Sequence, residues 1–314
     1  MEKITLKNTD LQVSNINLGG NVFGWTLNET ESFAILDAYA EAGHNFIDTA
    51  DAYGWWLGKQ GISETIIGNW MKSRGNRKEM VIATKVGSQT ATNPGPNVSI
   101  EYISKTVDES LERLQTDYID LYYTHFDDGL TPVEETLSAY DIAIKAGKVR
   151  YIGASNISPE RLEQSFHASD KYNLPRYIAL QPHYNLLERY GYESNFAPLA
   201  EKYNLSVFPY FALASGFLTG KYRKEQDFKK SVRGEGAAQY FNEHGLTVLH
   251  CLDFIHAKNG ASQASIALAW LLNRQNIVAP IVSATNQSQL HSILIASELK
   301  LDLEDLQWLD RVTL

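Results

Sequence analysis

The feature that most constrains this chain is its beat, in which short apolar runs alternate with longer helical segments along most of the sequence. The opening stretch ITLKNTDLQVSNINLGG predicts a short β-hairpin turning at Asn8-Thr9-Asp10, then a strand closing on Gly19-Gly20. Glu29 to Ala42 has the spacing of an amphipathic helix (Phe33, Leu36, Ala40) stopped by Gly43, and a short strand follows at 45–48. Ser63 is read as the cap of a helix carrying Ile66, Ile67 and Trp70 on one face, before strand 80–86 with Lys85 near its end. Beyond the loop TNPGPN, Ser99 caps a helix running to about Leu114, and strand YIDLYYTHF ends at His125. Thr131-Pro132 opens the next helix, with Pro at the first helical position, and Gly147 closes it. Strand 149–155 leads into a helix capped by Ser158; YIALQ then ends at Gln181 and LSVFPY at Tyr210. A long helical block from Ala237 to Leu272 precedes a last strand, IVAPIVSA.

That makes about eight strand-then-helix units whose strands are almost continuously apolar, as parallel strands buried on both faces must be. Nothing in the composition breaks the series, no linker divides it, and no G-x-G-x-x-G joins a strand to a helix. The expected fold is therefore α/β: a single (β/α)8 TIM barrel with an N-terminal β-hairpin, one domain over residues 1–314. A chain of this length that is 44% hydrophobic and 21% charged can bury a full core. Its net charge of −9 argues against general affinity for nucleic acid or an anionic membrane surface. No run has the length of a membrane span, and the start MEKITLKN lacks the apolar centre of a signal peptide. The single Cys251 excludes an intramolecular disulfide and reads as a buried structural thiol; no Cys/His spacing suggests a metal. A cytoplasmic location is the natural expectation.

In such a barrel all strand C-termini open onto one face, so the polar residues there belong together. They are Asp48, Tyr53, Lys85, His125, Ser155, Asn156, Gln181 and Tyr210. Each one alone also reads as a helix cap, a snorkelling lysine or a satisfied core group; at one mouth they compose a chemistry. A phenol with an ordinary pKa near 10 is a poor acid at neutral pH. A lysine ammonium beside it favours the phenolate and lowers that pKa, and a carboxylate next to the lysine fixes the cation and balances its charge. An imidazole nearby can hydrogen-bond a substrate carbonyl. Asp48, Tyr53, Lys85 and His125 thus suit proton delivery to a carbonyl oxygen becoming an alkoxide. The set lacks a reductant, which implies a bound hydride donor. Ser155, Asn156 and Gln181 suit a carboxamide such as that of nicotinamide, and Tyr210 suits stacking on its ring.

Over nearly its whole length the chain resembles the aldo-keto reductases. FIDTADAYG, LERLQTDYIDLYYTH, KVRYIGASN and the Lys85 of IATKV each match a motif of that family. The resemblance implies Tyr53 as general acid with Lys85, Asp48 and His125, nicotinamide contacts from Asp48, Ser155, Asn156 and Gln181, and Tyr210 as the stacking ring. PYFALASGFLTGKY is similar to the family's loop along the pyrophosphate, with Phe211, Leu213, Ser215, Gly216 and Lys221 as its contacts. PIVSATNQSQLHSI is similar to the adenosine segment and contributes Ser283, Thr285 and Gln289. Two departures stand out. Tyr210-Phe211-Ala212-Leu213 replaces Tyr-Ser-Pro-Leu, and Ser283 takes the place of a Gly, with Ser292-Ile293 where the family has Glu-Asn. The implied cofactor is NADP, with NAD possible, because no Lys or Arg lies between Asn276 and Ile295. The substrate is expected to be a small carbonyl compound.

Trp55, Trp56, Phe23, Trp25 and Phe126 follow strand ends closely. They either wall the substrate mouth or pack on the barrel rim, and both readings stand. Asp127 and Asp128 bind substrate hydroxyls or are solvated loop acids. Two rival functions frame the reductase reading. A non-catalytic nicotinamide-binding or regulatory barrel would be marked by loss of the His or Tyr, and both are present. A barrel hydrolase would need a second strand-end acid, which the sequence does not offer.

Overall fold

The computed structural model describes residues 3–313. Strands β1 (Ile4–Thr5) and β2 (Gln12–Val13) form the antiparallel hairpin, turned by Asn8 in the left-handed region at φ 60°. Eight parallel strands follow: β3 (Asn17–Gly19), β4 (Phe46–Asp48), β5 (Val81–Val86), β6 (Ile119–Thr124), β7 (Val149–Ser155), β8 (Tyr177–Gln181), β9 (Ser206–Val207) and β10 (Ile281–Val282). Their spatial order is β10-β3-β4-β5-β6-β7-β8-β9. Helices α1 (Glu29–Glu41), α2 (Ile62–Arg74), α3 (Ile100–Leu114), α4 (Val133–Lys145) and α5 (Pro159–Tyr172) alternate with the first strands, completing the expected (β/α)8 pattern. Later come α6 (Tyr190–Asn195), α7 (Ala197–Lys202), α8 (Gly234–Ala238), α9 (Glu243–Asn259), α10 (Gln263–Leu272), α11 (Gln287–Ile295) and α12 (Leu303–Val312). No helix among the described residues is long and apolar enough to cross a membrane.

Closure uses a strand that changes partner. Val207 donates to the Asn276 carbonyl and accepts from Val278, while Ile281 donates to the Pro209 carbonyl before β10 pairs with β3. Pro280 sits at the changeover and has no N–H to give, so IVAPIVSA is two short pieces and not one strand. Pro209 similarly cuts LSVFPY to a two-residue ladder, although Tyr210 still bonds the Pro182 carbonyl.

Three helix boundaries differ from expectation. Ser63 does not cap α2; Gly61 holds that position at φ 72°, and the Ser63 hydroxyl bonds the Gly20 carbonyl and Thr49 at 2.8 Å each. Pro132 is extended and lies just outside α4. The block from Ala237 to Leu272 is three helices, because Asn242 and Ser262 each cap a new one and Gly260 ends α9 at φ 76°. Predicted caps Ser99 and Ser158 do accept from the backbone of Tyr102 and Arg161.

Two apolar layers hold the barrel. Outside the strands, Leu36, Ile67, Trp70, Ile103, Leu137, Leu162, Leu268 and Trp270 fill the space beneath the helices, each buried side chain contributing roughly 1.5–3 kcal/mol. Inside, Phe46, Leu121, Tyr123, Ala179 and Phe208 pack with Leu6, Leu11 and Val13 of the hairpin region. The hairpin therefore stoppers one end, and the polar site occupies the other.

Tyr123 fits inside only because β7 carries Gly153 beside it: a Cβ there would lie 2.4 Å from the Tyr123 ring. Gly153→Ala should cost about 1–3 kcal/mol by overpacking, measured by urea unfolding. Gly95, which has open space around it, is the control, and Gly95→Ala should stay within about 0.5 kcal/mol.

Candidate active site

β4 and β5 are neighbours in register, with Asp48 opposite Ala83, so Asp48 and Lys85 emerge side by side at the strand ends. Both are fully buried. Lys85 Nζ donates to Asp48 Oδ1 in a short ion pair, to the Thr49 carbonyl at 2.8 Å and to the Tyr53 hydroxyl at 3.1 Å. Asp48 Oδ2 accepts from Gln181 Nε2 at 3.0 Å. His125 follows β6, and its ring meets that of Tyr53 edge-on at 6.1 Å between centroids.

The charges have identifiable causes. Burial alone would lower the Lys85 pKa, but Asp48 and Tyr53 hold it above the ordinary lysine value. Burial raises the Asp48 carboxyl, opposed by Lys85 and by the Gln181 hydrogen bond. Tyr53 departs from expectation. Burial raises its phenol above the ordinary value, and the opposing pull of Lys85 does not reverse that. The protonated phenol is therefore the resting form, an acid rather than a phenolate. Burial, reinforced by the Lys85 charge, drives His125 well below its usual range, so its imidazole is neutral near pH 7. His125 Nδ1 has no partner among the described residues.

Asp48, Tyr53, His125 and Gln181 line one end of a cavity of about 880 Å³. Beyond them a polar row continues. Ser155 Oγ donates to the Gln181 carbonyl at 3.0 Å, Asn156 Nδ2 to the His125 carbonyl at 2.9 Å, and the Tyr210 hydroxyl to Asn156 Oδ1 at 2.9 Å. Asn156 is left-handed at φ 45°, which turns its amide across the strand ends. Tyr210 is backed by His183, stacked 5.3 Å away and tilted by 15°, which leaves its other face toward the cavity.

The strap 211–221 has unusual backbone. Phe211, Ala214 and Ser215 all have positive φ (52°, 49° and 56°), joined by Gly216 at 90°. Strain of this kind in non-glycine residues collects at binding loops. Phe211, Leu213, Ser215, Gly216 and Lys221 all line the cavity, as do Ser283, Thr285 and Gln289 at its far end. There Thr285 N and Oγ1 both donate to Gln289 Oε1, at 2.9 and 3.0 Å.

Some polar cavity residues carry no motif. Asn21 Oδ1 accepts from Ser283 Oγ at 2.7 Å and from Arg233 Nη2 at 2.9 Å. Extending the strand-end rule to β3 would have found Asn21. Arg233, whose guanidinium lies 5.7 Å from the Trp25 ring, sits in a loop with no periodic signal. Lys230 also lines the cavity but is paired with Asp227, and Arg274 is held at Asp310.

The aromatic residues separate. Phe126 lines the cavity and is exposed; Trp25 and Trp56 meet edge-on at 5.6 Å on the rim; Trp55 is partly buried outside the cavity lining. Phe23 is buried in the core. Asp127 is clamped by Arg161 through two 2.7 Å bonds. Asp128 accepts from the backbone of Leu130 and Thr131 and from the Thr131 hydroxyl, so both acids order their loop.

The site thus combines a buried Lys–Asp pair on a phenol with an amide-lined cavity at one end of a parallel barrel. The chain belongs to the aldo/keto reductase family, whose model matches residues 15–313. It is 35% identical over 319 residues to the "Uncharacterized oxidoreductase YrpG" of Bacillus subtilis (strain 168), covering 99% of this chain and 96% of that one. It is 33% identical to the "Probable voltage-gated potassium channel subunit beta" of Oryza sativa subsp. japonica, covering 92% and 89% of the two chains. It is 32% identical to "Aldo-keto reductase yakc [NADP(+)]" of Schizosaccharomyces pombe (strain 972 / ATCC 24843), covering 87% and 79%. Family membership and the names of the Bacillus subtilis and Schizosaccharomyces pombe relatives support an oxidoreductase role.

One buried acid stands behind the site. Asp51, two residues before Tyr53, is fully buried, and neither carboxyl oxygen has a partner among the described residues. Neighbouring Glu64 already holds Thr84 Oγ1 at 2.5 Å and Arg113 Nε at 2.7 Å. Burial, then the Glu64 charge, push Asp51 well above the ordinary carboxyl range, against the pull of Arg113. A raised folded pKa gives stability that is complete below the unfolded value, near 4, and is lost as pH climbs toward the folded one. Asp51→Asn removes that loss. Its melting temperature relative to wild type should therefore rise as pH climbs above about 4 until the wild-type carboxyl has ionised, and a constant difference would show that Asp51 does not titrate in this way.

Proposed function

We propose that this chain is an NAD(P)H-dependent reductase of aldehydes or ketones, with Tyr53 as the general acid. The observation that carries the reading is Lys85 Nζ, which binds Asp48 and the Tyr53 hydroxyl together beneath a cavity long enough to continue past Tyr210 to Gln289. A nicotinamide dinucleotide suits this cavity. Arg233, half-buried, and Lys221, exposed, both line it without a carboxylate partner among the described residues, so their charges are available to an anionic ligand in the cavity. When bound, that cofactor supplies the hydride.

The chain's own residues do the rest. Ser155, Asn156 and Gln181 hold the nicotinamide amide, and Tyr210 offers its ring face. Neutral His125 hydrogen-bonds the substrate carbonyl and positions it over Tyr53. The phenol gives its proton to the oxygen as negative charge develops there, and Lys85 stabilises the phenolate left behind. Asp48 keeps the ammonium in place. The strap's Ser215, Gly216 and Lys221, with Arg233 before α8, meet the phosphates, and Ser283, Thr285 and Gln289 meet the adenosine half. Phe126 in the cavity lining favours apolar carbonyl compounds.

The name of the rice relative favours a second reading, a regulatory barrel that binds a nicotinamide cofactor without turnover. Cofactor oxidation with a panel of aldehydes and ketones separates the two. In the reductase, Tyr53→Phe should lower turnover by at least ~10²-fold while the cofactor Kd changes little. Retention of more than about a tenth of wild-type turnover would require another proton donor.

Cofactor choice follows from where the cations lie. α11 and the segment before it have none, and those in the cavity all come from the strap region, so a 2′-phosphate is met mainly by hydroxyls and amides. A charged hydrogen bond is worth roughly 1.5–3 kcal/mol, about ten- to a hundredfold in affinity. NADPH should accordingly be preferred over NADH by less than about a hundredfold in kcat/KM, measured with each cofactor at one fixed aldehyde concentration.

A further inference from the structure

Asp48 is fully buried and has two oxygens to satisfy, and only one faces Lys85. The other accepts from Gln181 Nε2 at 3.0 Å. Gln181 comes from β8, on another side of the barrel, and is itself buried. Its own backbone carbonyl accepts from Ser155 Oγ, which in turn accepts from Asn156 Nδ2 at 3.1 Å, and Asn156 Oδ1 holds the Tyr210 hydroxyl. A continuous row of hydrogen bonds therefore runs from the proton-delivery group to the residues proposed to cradle nicotinamide. The link between its two halves is one side-chain amide.

We propose that Gln181 is a positioning residue for proton delivery: by holding Asp48 Oδ2 it keeps Oδ1 committed to Lys85, and so keeps Lys85 on Tyr53. This rests on the reductase reading and goes beyond a role for Gln181 as a cofactor contact. A carboxamide has two N–H donors and one carbonyl. With one donor engaged by Asp48, only the second N–H and the carbonyl remain for a ligand. Lys85 from β5, Tyr53 from the loop after β4 and Tyr123 from β6 are the other titratable groups facing Asp48. Tyr123 stays protonated because burial and the Asp48 charge both oppose its ionisation, so Lys85 and Gln181 are what keep the carboxylate charged. Without the amide, a buried oxygen loses its donor and the carboxylate takes up a proton at higher pH.

The test uses Gln181→Leu, which removes both donors, and Gln181→Glu, which keeps the shape and places a second acid beside Asp48. With 4-nitrobenzaldehyde as substrate and saturating cofactor, both variants should lose about tenfold or more in kcat, the scale of one charged hydrogen bond. The acid limb of kcat against pH should move up by about one unit, further in Gln181→Glu. A cofactor contact alone would raise the cofactor Kd and leave kcat and that limb where they were, and this result overturns the proposal. A second measurement needs no turnover. Gln181→Leu should lower the melting temperature by about 2 °C more in the wild-type background than in Asp48→Asn, where no carboxylate remains to be held. Additive effects overturn the proposal whatever the kinetics show. If the wild-type protein reduces no carbonyl with either cofactor, the functional reading fails, and the melting-temperature cycle still decides whether Gln181 holds Asp48.

Discussion

The buried ion pair between Lys85 and Asp48 is the interaction on which the site depends. Withdrawing two such charges from water costs several kcal/mol per ion, and their mutual attraction offsets this only when the remaining donors and acceptors are also satisfied. Here they are. The ammonium reaches Asp48, the Thr49 carbonyl and Tyr53, and the second carboxylate oxygen reaches Gln181. These partners come from β4 and its loop, β5 and β8, so the pair is satisfied only once the barrel is assembled around it. The mouth and the stability of the barrel top are thus two aspects of one arrangement.

Burial also sets the acid-base character of the site. The environment that holds the pair also surrounds the Tyr53 phenol and the His125 imidazole, and in both its low polarity favours the neutral form. In the proposed reductase, a neutral phenol would keep its proton until an alkoxide develops nearby, and Lys85 would then stabilise the phenolate that results. A neutral imidazole would orient a carbonyl without competing with Lys85 for charge. On that proposal, lysine acts more on the product of proton transfer than on the resting acidity of the tyrosine.

The far end of the cavity shows a different economy of charge. Its base, from Ser283 to Gln289, is hydroxyls and amides, and the lining cations are Lys221 on the strap with Lys230 and Arg233 in the segment that follows it. The strap's bend depends on left-handed residues that are not glycine, which surrounding structure must hold: α8 packs on it, with Gly236 close beside Ser215. Arg233 at the start of that helix reaches Asn21, whose oxygen also receives Ser283, and so joins strap, β3 and the segment after β10.

The sequence by itself determined the alternation of elements, the parallel barrel, the hairpin, the caps Ser99 and Ser158, and Asp48, Tyr53, Lys85 and His125 as candidates. These are local properties: periodicity and capping act over a few residues, and a strand-end residue adjoins the run that defines its strand. Tertiary structure decided what depends on distant neighbours. Arg233 meets Asn21 across 212 residues of sequence, and Gln181 meets Asp48 across 133. Ser63 resembled a cap, but close approach of α2 to Gly20 gave its hydroxyl another partner. The resting form of Tyr53 was set by the balance of burial against Lys85, and Asp51 became an acid without a donor because Glu64 had taken Arg113. Such outcomes are sums of opposing long-range terms, and their sign is fixed only when the packing around each group is fixed.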